Sequence, residues 1–414
     1  MPSSPIHHTF APLADQRQRW LACAALLSPL RYLHGKSTER LETMLGEKFT
    51  ADAFAFASGR DALYAILRAL KMQAGDEVIV QCYTCVVVPN AIRAAEATPV
   101  FVDIERDTLN FDFKALEQAI TPRTKAIICQ HTFGIPAATK RLRALCDARS
   151  IILIEDCAHV LPDETGPASI GALGDFLMLS FGRDKAISGV AGGAAVSRRI
   201  NQSAEIDLLR FRAKKVKLWT VIRFLLYPLL YGVARPLYGF GVGKGVLWLA
   251  GKVSLLPPIV TAEEKHGHQK PIVHAMPNAC AFLALDQLKR LKELNDARRE
   301  VTAFYLLEGK ARGWPVLNGV TADLPLQKFP LFVLQAENIR RALKRQNILL
   351  EDGWTECVIC PDSVDIPDTG YALGEDPTAE AVCQEILSLP THPTMTMEQA
   401  HRVVRALDAL MSRI

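Results

Sequence analysis

Three stretches of the sequence put reactive side chains where a folded chain could use them. Lys185 follows the apolar run Phe176 to Phe181, with Ser180 five residues before it and Gly171, Gly174, Gly182, Gly192 and Gly193 around it. A single lysine is usually a solvated cation. One that is partly desolvated, or close to other cations, loses basicity and can form a Schiff base with a carbonyl carbon. Asp156 closes the run Ile151-Ile152-Leu153-Ile154-Glu155, and His159 stands three residues on. Such an acid can cap a helix or sit in a loop, and half-buried at a strand end it can hold a proton on a heterocyclic nitrogen. Ser58-Gly59-Arg60-Asp61 lies between a strand pattern and a helical one. Free amides at that helix start would make an anion site, although a glycine turn there is also common for conformational reasons alone.

The elements that must position these groups follow from periodicity. Phe54 to Ala57, Glu77 to Val80, Thr98 to Val102, Ala126 to Cys129, Ile151 to Ile154 and Phe176 to Phe181 read as short apolar strands. Helical spacing marks Ser37 to Phe49, Asp61 to Met72, Asn90 to Ala97, Phe113 to Ala119 and Lys140 to Ala148 between them, and the arm carries a short helix around Gln16 to Leu27. This alternation predicts an α/β domain with a mainly parallel sheet covered on both faces. Ligands of such sheets bind beyond the carboxyl ends of the strands, where Ser58, Asp156 and Ser180 all fall. Asn278 to Leu307 reads as one long amphipathic helix leading into a mixed C-terminal part. The expected division is an N-terminal arm over 1–30, a large domain over 31–277, and a connecting helix with a smaller α+β domain over 278–414.

Composition narrows the class. The 414 residues are 49% hydrophobic and 22% charged, which excludes a disordered chain or a small disulfide scaffold. A net charge of +4 is too balanced for a general nucleic-acid binder. Ten cysteines without a secretory leader pattern suit a reducing, cytoplasmic setting. Two Cys-x-x-Cys pairs, Cys82/Cys85 and Cys357/Cys360, could bind metal only by meeting across the chain, and no metal is expected.

The ordered set Ser58-Gly59, Gly75-Asp76-Glu77-Val78-Ile79-Val80, Pro99-Val100-Phe101-Val102-Asp103-Ile104, Glu155-Asp156-Cys157-Ala158-His159 and Ser180 five residues before Lys185 resembles the DegT/DnrJ/StrS family of sugar aminotransferases. Leu389-Pro390-Thr391-His392-Pro393 matches it again near the end. The resemblance implies the fold type I architecture, pyridoxal 5'-phosphate (PLP) as cofactor, a homodimer, an amino donor such as glutamate or glutamine, and a nucleotide-linked ketosugar acceptor of surface-glycan or polysaccharide biosynthesis. It makes Lys185 the residue that binds the cofactor and moves the proton, and Asp156 the partner of the pyridine nitrogen. His159 would lie against the ring, while Ser58, Ser180 and the amides of Gly59 and Arg60 would hold the phosphate. Lysine at 185 favours transamination, because related sugar dehydratases carry histidine there.

Departures from the pattern carry information too. Arg60 replaces a usual threonine, a cation that could still pair with phosphate. Cys85 stands where the family commonly stacks an aromatic ring on the cofactor, so Tyr83 is the aromatic residue expected to cover it. The family's Asn-Tyr-Arg stretch is Val273-His274-Ala275 here, which weakens the usual cross-subunit phosphate contact.

A last feature has no counterpart in typical members. From Leu208 to Ala262 there are nine basic residues and no acidic one, interleaved with Trp219, Tyr227, Tyr231, Tyr238 and Trp248. Its longest uncharged run, Phe224 to Ala234, is 11 residues, about half of what spans a bilayer. The segment could pack over the active site or a subunit interface. Exclusion of every acid instead favours peripheral contact of 208–262 with anionic lipid on the cytoplasmic membrane face. Two other readings of the whole chain stay open: a PLP enzyme with another reaction or a non-sugar acceptor, and a non-catalytic membrane-associated scaffold.

Overall fold

The computed structural model of the protein describes residues 5–8, 12–28, 35–167, 169–351 and 353–412. Parts of the expected arm, residues 1–4, 9–11 and 29–30, lie outside the described residues.

A nine-stranded sheet forms the frame. Across it run Lys214–Lys215, His274–Ala275, Asp52–Phe56, Gly193–Ser197, Phe176–Ser180, Ile152–Asp156, Thr124–Gln130, Glu77–Gln81 and Thr98–Val102. The last five are mutually parallel, and Gly193–Ser197 is antiparallel to both of its neighbours. Asp52–Phe56 therefore points the same way as the parallel block. The carboxyl ends that precede Ser58, Cys85, His131, His159 and Lys185 all open on one edge. Strand alternation sends Val78 and Val80 into the core under helices Gly59–Ala69 and Val87–Ala94, while Ile79 joins Phe113, Leu142 and Cys146 on the opposite face. Both faces are covered, as a parallel sheet requires.

Boundaries differ from the sequence reading for identifiable reasons. The helix expected over Asn90 to Ala97 runs Val87–Ala94, with Pro89 in its first turn, where no N–H is needed. The expected long helix is two, Asn278–Lys289 and Leu291–Ala311. Arg290 leaves helical geometry between them (φ −105°, ψ 18°) and reaches Asp15 at 2.9 Å and Asp286 at 3.2 Å. Those contacts fasten the helix Gln16–Leu26 of the arm, as does Arg17 on Asp286 at 2.6 Å.

The C-terminal part pairs Lys328–Phe332 with Ile386–Pro390 and covers them with Ala336–Arg345 and Met397–Met411. Its core is continuous with Tyr83 and Phe133 beside the large sheet. The two Cys-x-x-Cys pairs do approach, since Ile359–Cys360 pairs in parallel with Thr84–Cys85. Their thiols nevertheless face different surroundings: Cys357 and Cys360 are 3.6 Å apart, whereas Cys82 lies 3.9 Å from Asp103.

The insertion folds into helix Leu218–Leu237, a short turn, and helix Val242–Lys252. The first packs on the arm helix and on Asn278–Lys289, and the second rides on the first. Among the described residues no helix is long and apolar enough to cross a membrane.

Candidate active site

At the start of helix Gly59–Ala69, Ser58 is an extended N-cap whose Oγ accepts from the Asp61 amide at 3.1 Å. Two glycines let three elements converge there. A Cβ on Gly59 would lie 3.0 Å from Met178 Sδ and Ser180 Cβ, and one on Gly193 would lie 2.4 Å from the Gly59 nitrogen. The result is a cradle of the Gly59 and Arg60 amides with the Ser180 hydroxyl, shaped for an anion. The Arg60 guanidinium is committed elsewhere: it pairs with Glu264 and donates to Ile259 O at 2.7 Å. The expectation that its cation meets the phosphate is thus corrected. What Arg60 offers at the helix start is its backbone amide.

Asp156 ends its strand buried, and among the described residues only the Ala158 amide donates to its carboxylate, at 2.9 Å. Burial raises its pKa above the ordinary range, against the fields of that amide, Lys185 and His131. A buried carboxylate so sparsely hydrogen-bonded is suited to a cationic N–H, such as a protonated pyridine nitrogen. His159 accepts from the Phe133 amide through Nδ1 at 3.1 Å, which puts its proton on Nε2. Burial drives its pKa well down, helped by Lys185 and Lys328, so the ring is neutral. It packs against Phe133 and Trp354 at centroid distances of 5.9 and 5.0 Å.

Glu155 and His131 do different work. Both are fully buried and 3.0 Å apart. Glu155 also accepts from the amides of Gly171 at 2.7 Å, Leu173 at 3.0 Å and Gly174 at 2.6 Å. Burial opposes its charge, but the His131 bond and these amides outweigh it and lower its pKa. This carboxylate fixes the loop that leads into Phe176–Ser180, and hence the strand that carries Ser180.

Lys185 lies in the loop after that strand and lines a small cleft with His8, Asp184, Arg298, Gln327, Lys328 and His392. The cleft is cationic. Lys328 is 3% exposed and sits over the rings of Phe133 and Trp354 at 5.6 and 5.5 Å. Arg298 donates to Ala186 O at 2.7 Å, and burial lowers its pKa to about 9. Asp184 is the single acid of the lining; burial opposes its charge, yet Lys185 and Lys328 bring its pKa down. Gln327 Oε1, Asp184 Oδ1 and His392 Nε2 have no hydrogen-bond partner among the described residues. Such a pocket favours a small anion with its own donors and acceptors.

Two expected contacts fare differently. Cys85 lies within the fields of Lys185, Arg60 and Asp156. Tyr83 does not face the site. It is wholly enclosed, donates to Trp354 O at 2.7 Å and packs edge-on to Trp354 and Phe133, which leaves no face free for a ligand ring. Lys328, Arg298 and Trp354 escaped the sequence reading. A lysine opening the otherwise apolar strand Lys-Phe-Pro-Leu-Phe was the available signal, because buried lysines are rare without a purpose.

The chain matches the DegT/DnrJ/EryC1/StrS aminotransferase family over residues 15–223 and 263–408, so the unmatched stretch falls in the insertion. It is 33% identical over 422 aligned positions to a UDP-N-acetyl-3-dehydro-α-D-glucosamine 3-aminotransferase of Acidithiobacillus ferrooxidans, covering 98% of this chain and 97% of the relative. Its fold is similar to NtdA of Bacillus subtilis with bound cofactor PMP (TM-score 0.74, 19% identity, 100% of this chain and 86% of the other). It is also similar to S. venezuelae DesV in complex with a ketimine intermediate (TM-score 0.73, 24% identity, 100% of both chains).

Proposed function

The chain belongs to the DegT/DnrJ/EryC1/StrS aminotransferase family and is a PLP-dependent aminotransferase; on that premise we propose that it moves an amino group from glutamate or glutamine to a ketosugar carried on a nucleotide. The observation that carries the reading is the convergence of the glycine-lined anion cradle, buried Asp156 and Lys185 on one sheet edge, next to a cationic cleft. The cofactor, when bound, supplies an electron sink for breaking a C–H bond beside nitrogen. Lys185 would hold it through Nζ and would move the proton taken from the substrate carbon. Asp156 would hold a proton on the cofactor's pyridine nitrogen. Neutral His159, with Phe133 stacked on it and Trp354 edge-on, would support the ring, and Ser58, Ser180 and the amides of Gly59 and Arg60 would hold the phosphate. Lys328 and Arg298 favour an anionic donor. The near full-length similarity to the A. ferrooxidans enzyme makes a UDP-linked N-acetyl-3-ketosugar of surface-glycan assembly the first acceptor to test. A homodimer is the working state we propose.

The experiment is an absorbance spectrum of the protein with PLP, before and after glutamate, with Lys185→Ala alongside. A visible band that needs Lys185 and bleaches with glutamate is expected. A band untouched by glutamate or glutamine would point to another PLP reaction, and no band at all would leave the scaffold reading.

We also propose contact with an anionic membrane surface. Helix Val242–Lys252 and its flanks expose Phe240 (67%) and Trp248 (66%) with Leu249 and Val253, and Lys244 and Lys252 are exposed among them. Flotation with phosphatidylglycerol vesicles that leaves the protein wholly in the soluble fraction would refute this.

A further inference from the structure

A second cavity, of about 330 Å³, lies between the arm helix, insertion helix Leu218–Leu237 and helix Leu291–Ala311. We propose that it holds the diphosphate of the nucleotide-linked acceptor, bound by Arg19 and Arg235. This inference rests on the reading of the acceptor as a nucleotide-linked sugar.

Charge carries it first. Two acids line the cavity, and both are used by Arg290: Asp15 at 2.9 Å and Glu293 at 3.4 Å. Asp15 also caps the arm helix through the Gln18 amide at 2.7 Å. Arg19 and Arg235 have no acidic partner among the described residues, and both are partly buried. Burial lowers the pKa of Arg235, and the field of Arg19 lowers it further. Two converging guanidinia without a counter-ion suit an anion that can accept from both, as a diphosphate does.

The backbone has made room for this convergence. Gly232 sits inside the insertion helix, where glycine costs about 1 kcal/mol relative to alanine. A Cβ there would come within 2.6 Å of Arg19 Cδ and 3.0 Å of its Nη1. The glycine lets the Arg19 side chain lie across the helix into the cavity. Tyr227, Tyr231 and Arg235 recur every four residues, so they share one helix face. That face is keyed to the catalytic loop: the Arg183 guanidinium lies 4.4 Å from the Tyr227 ring and donates to Pro257 O at 2.5 Å.

Position agrees with charge. Leu13 lines both this cavity and the Lys185 cleft, and Ala297 and Pro393 of the cavity adjoin Arg298 and His392 of the cleft. A sugar reaching Lys185 would therefore leave its anomeric phosphate near the arginines. Arg235 belongs to the stretch that the family match leaves out, between residues 223 and 263.

Calorimetric titration of the PLP-loaded protein with UDP tests the proposal. The parent should bind UDP. Arg235→Gln and Arg19→Gln should each weaken binding at least tenfold, with Arg235→Lys between, while bound-cofactor absorbance confirms an intact fold. Gly232→Leu should weaken UDP through space alone. Unchanged UDP affinity in both arginine variants, in a protein that does aminate a UDP-linked ketosugar, would overturn the inference and leave the acceptor class standing. Failure to bind any nucleotide or to aminate any nucleotide-linked ketosugar would remove both.

Discussion

Alanine in place of Gly193 should damage cofactor binding more than its single methyl group suggests. The new Cβ would stand 2.4 Å from the Gly59 nitrogen and 2.6 Å from both Gly59 Cα and the Ser58 carbonyl carbon, where ordinary contact begins at 3.4 Å. The gap to be opened is therefore 3.4 − 2.4 = 1.0 Å. None of the three atoms belongs to a side chain that can swing away. Gly193 is in register with both Phe56 and Ser180, and Gly192 bridges Ser58, so the strand cannot yield without its neighbours. Overpacking of this sort costs about 1–3 kcal/mol. Moving the cradle amides by about 1 Å also takes a hydrogen bond of about 2.9 Å beyond effective range. Losing one such bond to a charged phosphate costs about 1.5–3 kcal/mol, which is roughly 10- to 150-fold in affinity. Titrating the apoprotein with PLP by absorbance measures this directly. Gly245→Ala is the matched control: nothing lies within 4 Å of its Cβ, in the interior of helix Val242–Lys252, so it should stabilise by about 0.5–1 kcal/mol and leave PLP affinity alone. Parental PLP affinity and melting temperature in Gly193→Ala would refute the reasoning.

Glu155→Ala should cost about 3–5 kcal/mol, because it strands two buried amides, a half-buried one and buried His131; Glu155→Gln should fall between, and denaturant unfolding of the alanine variant within about 1 kcal/mol of the parent would contradict the bracing role. Asp376 is the pH case: burial, then the like charge of Asp103, raises its pKa to about 6. A carboxyl raised in the folded state stabilises most while protonated, so its cost grows as pH rises from about 4 through 6. The rise from 3.8 corresponds to about 3 kcal/mol, of which solvent screening leaves about 1–2. Asp376→Asn should therefore melt higher than the parent at pH 7.5 and converge with it near pH 4, and a gap that does not narrow would speak against the assignment.

Much of the candidate site's placement is legible in the chain because it is local. Periodicity announced the strands, and a strand's end fixes which way the next residues emerge, so Ser58, Asp156, Ser180 and Lys185 could be assigned to one edge before any contact was known. Side-chain destinations were another matter. Arg60 looked available to a phosphate until Glu264, 204 residues away, claimed it. Tyr83 is two residues from Cys85, yet the strand pairing that brings Ile359 and Cys360 alongside encloses it against Trp354. Lys328 reaches the Lys185 cleft only because the C-terminal strands fold back over the sheet. The insertion shows the division most clearly. Its charge and aromatic content were plain in the sequence. Which face turns inward was decided by packing, which set Tyr227 under Arg183 and left Trp248 in solvent. Local pattern selects an element and its two faces, but the long-range contacts that choose between those faces exist only once the chain has closed on itself.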